Sequence, residues 1–189
     1  MTLTCTSYFF EADIVKHMLK NSRGGNSEPD KSRSVVATVA EKFGMEIYPM
    51  PRDGDCFFKA MGFNVLNLRS HSALNDHFTS LGLFQIDSIE EMAMKLRAMM
   101  VNELVSNNER YVGFVREYGM QEWEECVTQF LQPGVFSGNV GDLMVKATVN
   151  VLKIPLTLLT SIENYAGINV TPDEFAEGCS DFCLFVAYS

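Results

Sequence analysis

The residues best equipped for chemistry stand together at Pro51-Arg52-Asp53-Gly54-Asp55-Cys56-Phe57-Phe58-Lys59-Ala60-Met61. Cys56 closes a polar, Gly-containing turn and opens an apolar run at helical spacing, with Phe58, Met61, Val65 and Leu68 on one side. A thiol at a helix N-terminus meets unpaired backbone N–H groups and the positive end of the helix dipole. Both favour the thiolate, so the spacing predicts a lowered thiol pKa and a nucleophile at Cys56. The same kind of donor suits an oxyanion. A turn through Asp53-Gly54-Asp55 can aim backbone donors at one point beside the sulfur, and Gly54 permits the positive φ that such a turn often demands. The alternative is a small buried hydrophobe that happens to follow a common turn dipeptide, and the residue types alone leave both open.

The stretch Asp53-Gly54-Asp55-Cys56-Phe57-Phe58-Lys59-Ala60 resembles the Asp-Gly-Asn/Asp-Cys-Leu-Phe-Arg-Ala signature of the ovarian tumour (OTU) family of cysteine proteases, mostly deubiquitinases, with Phe57 where a Leu is usual. A second block, 137–160, is similar to the family's Gly-rich turn, helix and Ile-Pro-strand junction, with Phe136-Ser137 in place of its usual Trp-Gly. The resemblance covers about 32–189. It implies an α+β, papain-like fold with a small twisted sheet flanked by helices. It also implies thiol hydrolysis of isopeptide bonds on ubiquitin or a ubiquitin-like modifier, without metal or other cofactor. By position, Cys56 becomes the nucleophile, Asp53 an active-site acid, and the amides near Gly54, Asp55 and Cys56 the oxyanion hole. A non-catalytic, ubiquitin-binding or scaffold domain of the same fold is the alternative.

A cysteine protease also needs a base to hold the thiolate and to protonate the leaving amine, usually a histidine. In the family that His follows the last strand, and here none follows 182–188. His17, His71 and His77 are the three present. A helix running from Cys56 almost to His71 would carry that imidazole on the order of 20 Å from the sulfur. The expectation is therefore impaired catalysis, in either a piece ending just before its His or a degenerate domain that has lost it.

These residues need elements to hold them. A chain of 189 residues suffices for one well-buried core. Residues 1–31 read as an arm and flexible linker, with a short helix at 8–19 and a Gly/Ser/Asn-rich stretch at 21–30, and the domain proper as 32–189. A helix is expected over 34–43, extended chain at Ile47 and Tyr48, and a capping box at Ser88 to Glu91 opening a helix through Met92, Leu96, Met99, Met100 and Leu104. Trp123 reads as a core anchor on a further helix. Val140, Leu143, Met144, Ala147 and Val151 mark the buried side of another, which Pro155 stops. Leu156–Thr160 and 182–188 read as strands, and 163–181 as turns.

A net charge of −9 with no Lys/Arg block argues against nucleic-acid binding through phosphates and suits a basic partner surface. The five cysteines are odd in number and lack paired spacing, which fits a reducing compartment. Cys179 and Cys183 have no ligand partners nearby in sequence for a zinc site. With no secretory leader or membrane span legible, the expected residence is cytoplasmic or nuclear.

Overall fold

Two apolar stripes rather than one make Cys56–Leu68 (α1) a central helix. Phe58, Met61, Val65 and Leu68 are buried as the spacing predicts, and Phe57, Ala60 and Asn64 on an adjoining face are buried as well. One face meets the long helix Ile89–Ser106 (α3), and the other meets the sheet. The computed structural model describes residues 3–6, 38, 47–51, 53–114, 120–136, 138–160 and 167–188. The expected helix at 8–19, the linker at 21–30 and the helix at 34–43, Thr38 apart, lie outside the described residues, as does His17.

The remaining described helices are Asn75–Ser80 (α2), Asn108–Tyr111 (α4), Met120–Thr128 (α5) and Gly138–Leu152 (α6). The strands are Leu3–Thr6 (β1), Ile47–Pro49 (β2), Leu156–Thr160 (β3), Gly167–Val170 (β4) and Leu184–Tyr188 (β5). They form one mixed sheet in the order β2-β1-β5-β3-β4, with β3 and β5 parallel and the other pairs antiparallel. The class is α+β, as expected. Two strands were not anticipated. β1 lies within the stretch read as an arm, and β4 lies within the stretch read as turns. The last strand also begins at Leu184, two residues later than the sequence suggested.

Local signals held where helices have strong ends. The Ser88 hydroxyl accepts the Glu91 amide proton at 3.1 Å and starts α3. Met92, Leu96, Met100 and Leu104 are buried along it, and Trp123 is fully buried on α5. Among the described residues no helix is long and apolar enough to cross a membrane.

The sheet register decides what stands near Cys56. Thr4 of β1 pairs with Pro49 of β2 on one side and with Ala187 of β5 on the other. Both partners run antiparallel to β1, so β2 and β5 point the same way and end at the same edge, about 10 Å apart across two strand spacings. The chain leaves β2 at that edge and enters the Asp53 turn. Helix α1 then returns along the sheet: Phe63 stacks on Tyr48 with ring centroids 4.5 Å apart, and Asn64 bonds to the backbone of Phe185. From Asn64 back to Cys56 is about 12 Å of helix, and from Phe185 on to Tyr188 about 10 Å of strand. Cys56 and the end of β5 therefore stand nearly level.

Candidate active site around Cys56

Cys56 is the first residue of α1, preceded by a turn that only glycine accommodates at its centre. Gly54 has φ +75°, and a Cβ placed on it would fall 1.9 Å from the carbonyl oxygen of Gly134. The turn is thus packed backbone to backbone against the 133–136 loop. Asp53 closes it: its Oδ1 accepts the Asp55 amide proton at 3.0 Å, and its other oxygen pairs with the Lys59 ammonium one turn into the helix. Burial alone would raise the Asp53 carboxyl, but Lys59 and the Asp55 amide outweigh it and hold the group below its ordinary value. Lys59 is pushed up by the same bond.

Asp55 has a second role that the sequence reading missed. Although it is the N-cap residue of α1, its side chain does not cap the helix. Its carboxylate instead accepts the Gly134 amide proton at 2.7 Å and pairs with Arg97 of α3. Arg97 is only 4% exposed, lies over the Phe58 ring at 4.0 Å, and donates through Nη1 to the carbonyls of Phe130 (2.6 Å), Gln132 (2.9 Å) and Val135 (3.1 Å). A sequence signal for this existed. Arg97 sits four residues from both Ala93 and Val101 on the buried side of α3, where a charge needs a partner.

Cys56 itself is half-buried, and its thiol is pushed up rather than down. Burial is the main cause; the Phe57 amide works against it, and the carboxylates of Asp53 and Asp55 add to the rise. This runs against the expectation drawn from the helix terminus: desolvation and two acidic neighbours outweigh the backbone amides of Phe57 and Cys56. The Asp55 amide is taken up by Asp53, while the amides of Cys56 and Phe57 are the ones that face the sulfur. The Phe57 donor follows from the unpaired first turn of any helix.

The described imidazoles are engaged elsewhere. His77 Nε2 lies 2.7 Å from the Leu152 carbonyl oxygen, and His71 meets the Phe182 ring edge-on at 5.4 Å. Cys179 and Cys183 are buried, with Cys183 Sγ 3.3 Å from the Thr157 hydroxyl. Among the described residues no three His, Cys, Asp or Glu side chains gather as a metal ion would require. A cleft of about 180 Å³ opens between α1 and α3, walled by Phe58, Lys59, Glu90, Met94, Arg97 and Pro133. That is below the roughly 300–1,000 Å³ usual for small-molecule sites.

The arrangement is thus a neutral thiol at a helix start, with two amides facing the sulfur and each neighbouring carboxylate paired with a cation. It becomes nucleophilic when a base takes its proton. No protein-family model matches the chain, and no curated protein matches it.

Proposed function

We propose that this chain is a papain-like domain of the ovarian tumour type, in which Cys56 attacks the isopeptide carbonyl joining ubiquitin or a ubiquitin-like modifier to its substrate. The observation that carries the reading is the common sheet edge. β5 ends nearly level with Cys56, so an imidazole borne just beyond β5, where the family carries its His, would arrive beside the thiol. That base would take the Cys56 proton as the sulfur attacks. The amides of Cys56 and Phe57 would receive the oxyanion, and the protonated imidazole would then give its proton to the leaving amine. Water would release the modifier from the thioester. Asp53 keeps the turn in shape through the Asp55 amide.

The test is a ubiquitin probe with an electrophilic C-terminus, applied to the chain as it stands and to a variant extended beyond Ser189 by a short His-containing segment. Slow labelling of Cys56 in the first and faster labelling in the second is expected, with Cys56→Ala abolishing both. If Cys56 is unlabelled in both forms, the enzymatic reading fails.

One observation favours a second reading. The raised thiol, without an imidazole bonded to it among the described residues, suits a domain that binds a modifier without cleaving it. In that case ubiquitin binding survives Cys56→Ala unchanged, and no extension gives turnover.

A further inference from the structure

A guanidinium carries a heavy desolvation cost where an apolar residue in line with Ala93 and Val101 would pack without one. Burial pulls Arg97 down from the ordinary arginine value, and Asp55 works against that pull. Where its hydrogen bonds end is informative. One goes to the carboxylate of Asp55, the residue immediately before Cys56, and three go to carbonyls of the 130–135 strip. That strip returns the contact through the Gly134 amide, which donates to the same Asp55 carboxylate. It is also seated on the site by Phe136, whose ring lies 5.3 Å from Phe57 and 5.9 Å from Phe58.

We propose that Arg97 is a positioning residue for Cys56 that acts through Asp55, its planar fork locking the start of α1 against the 130–135 strip. Its hydrogen bonds end on Asp55 and on the 130–135 strip. It sets the direction of the first-turn amides and neutralises the carboxylate next to the thiol. The inference rests on Cys56 being the reacting group.

The charges around the thiol make the role measurable. Asp53 and Asp55 face it from the turn, Lys59 of α1 is paired with Asp53, and Arg97 of α3 is paired with Asp55. Glu90 of α3 faces Lys59 from farther out, and the 130–135 strip contributes the Gly134 amide. Without its guanidinium partner, the Asp55 carboxylate bears on the sulfur unopposed and disfavours the thiolate.

The experiment follows iodoacetamide alkylation of Cys56 in the full chain, peptide by peptide to separate it from the other cysteines, as a function of pH. Alkylation tracks the thiolate fraction, so a half-unit rise in the profile appears as about threefold slower reaction at pH 8. Arg97→Met is expected to slow the reaction at least that much, and Asp55→Asn to speed it. In the Asp55→Asn background, Arg97→Met should lose most of its effect. Arg97→Lys, which keeps the charge but cannot bridge one carboxylate and three carbonyls, should shift the profile in the same direction by less. It carries the comparison should Arg97→Met not fold. An unmoved profile in a variant whose melting temperature has fallen would show a merely structural arginine and overturn the proposal. So would a shift of equal size with and without the Asp55 carboxylate. Because iodoacetamide needs no modifier, failure of the ubiquitin probe and failure of this proposal are separate results.

Discussion

Asn64 of α1 and Phe185 of β5 exchange a reciprocal pair of hydrogen bonds. The Asn64 amide donates to the Phe185 carbonyl at 3.0 Å, and its oxygen accepts the Phe185 amide proton at 3.2 Å. Among the described residues β1 pairs with β5 through Leu3 and Thr4, opposite Tyr188 and Ala187, and the Asn64 side chain bonds the same strand further in, at Phe185. A third bond, to the Ala60 carbonyl at 2.9 Å, fixes its rotamer. This clamp sets the level of Cys56 against the end of β5.

Asn64→Ala removes these three bonds from a buried setting. The expected loss is roughly 2–4 kcal/mol, from three hydrogen bonds of about 0.5–1.5 kcal/mol each. Urea unfolding monitored through Trp123 checks it. A change below about 1 kcal/mol would mean that the helix and the strand are held in register by apolar packing alone.

The two glycines that touch across the site should differ in sensitivity. Gly134→Ala introduces a side chain at φ +79°, 3.3 Å from the Asp53 carbonyl oxygen, and should lose about 1–2 kcal/mol from the left-handed backbone. Gly54→Ala meets the Gly134 carbonyl at 1.9 Å, a backbone atom that cannot swing aside. The turn and the loop must part, so the loss should be about 3 kcal/mol or more. Equal denaturation midpoints for the two variants would contradict the packing described.

Asp53→Ala should lower stability by roughly 1–2 kcal/mol, through loss of the bond that closes the turn. Asp53→Asn should lose less, because an amide oxygen still accepts the Asp55 proton and the surface pair with Lys59 adds only about 0–1 kcal/mol.

The pH dependence of Asp53 has a definite sign. Its folded-state carboxyl lies below the ordinary 3.8, so its contribution is complete above that value and is lost as the pH falls through the folded value. Urea midpoints of wild type and Asp53→Asn, compared from pH 6 downward, should therefore keep a constant gap and then converge in acid. A gap that widens below pH 4 would count against the carboxylate interactions as described.

Much of what positions Cys56 is legible in the sequence. The spacing of Phe58, Met61, Val65 and Leu68 places Cys56 at a helix start, Ser88 and Glu91 mark the start of α3, and the apolar run at Leu156–Thr160 is a strand. Each of these signals is local. Helix periodicity, capping and β-branched runs act within a few residues, so the chain carries them however it is folded. The need for glycine at position 54 is also partly local, in the turn chemistry of Asp-Gly.

The tertiary structure decided the rest. β1 and β4 are four-residue strands whose existence depends on distant partners, so little in Leu3–Thr6 or Gly167–Val170 announces them. The side chain of Asp55 finds Arg97 across 42 residues and Gly134 across 79, and no local pattern encodes such a meeting. The sharpest divergence is the thiol of Cys56. A helix start in isolation favours the thiolate, but in the folded chain water is withdrawn from the sulfur and two carboxylates stand beside it. Helix start, turn and residue type belong to the sequence. The free energy of ionising a sulfur depends on what surrounds it in space, and that is settled only when the chain has closed around it.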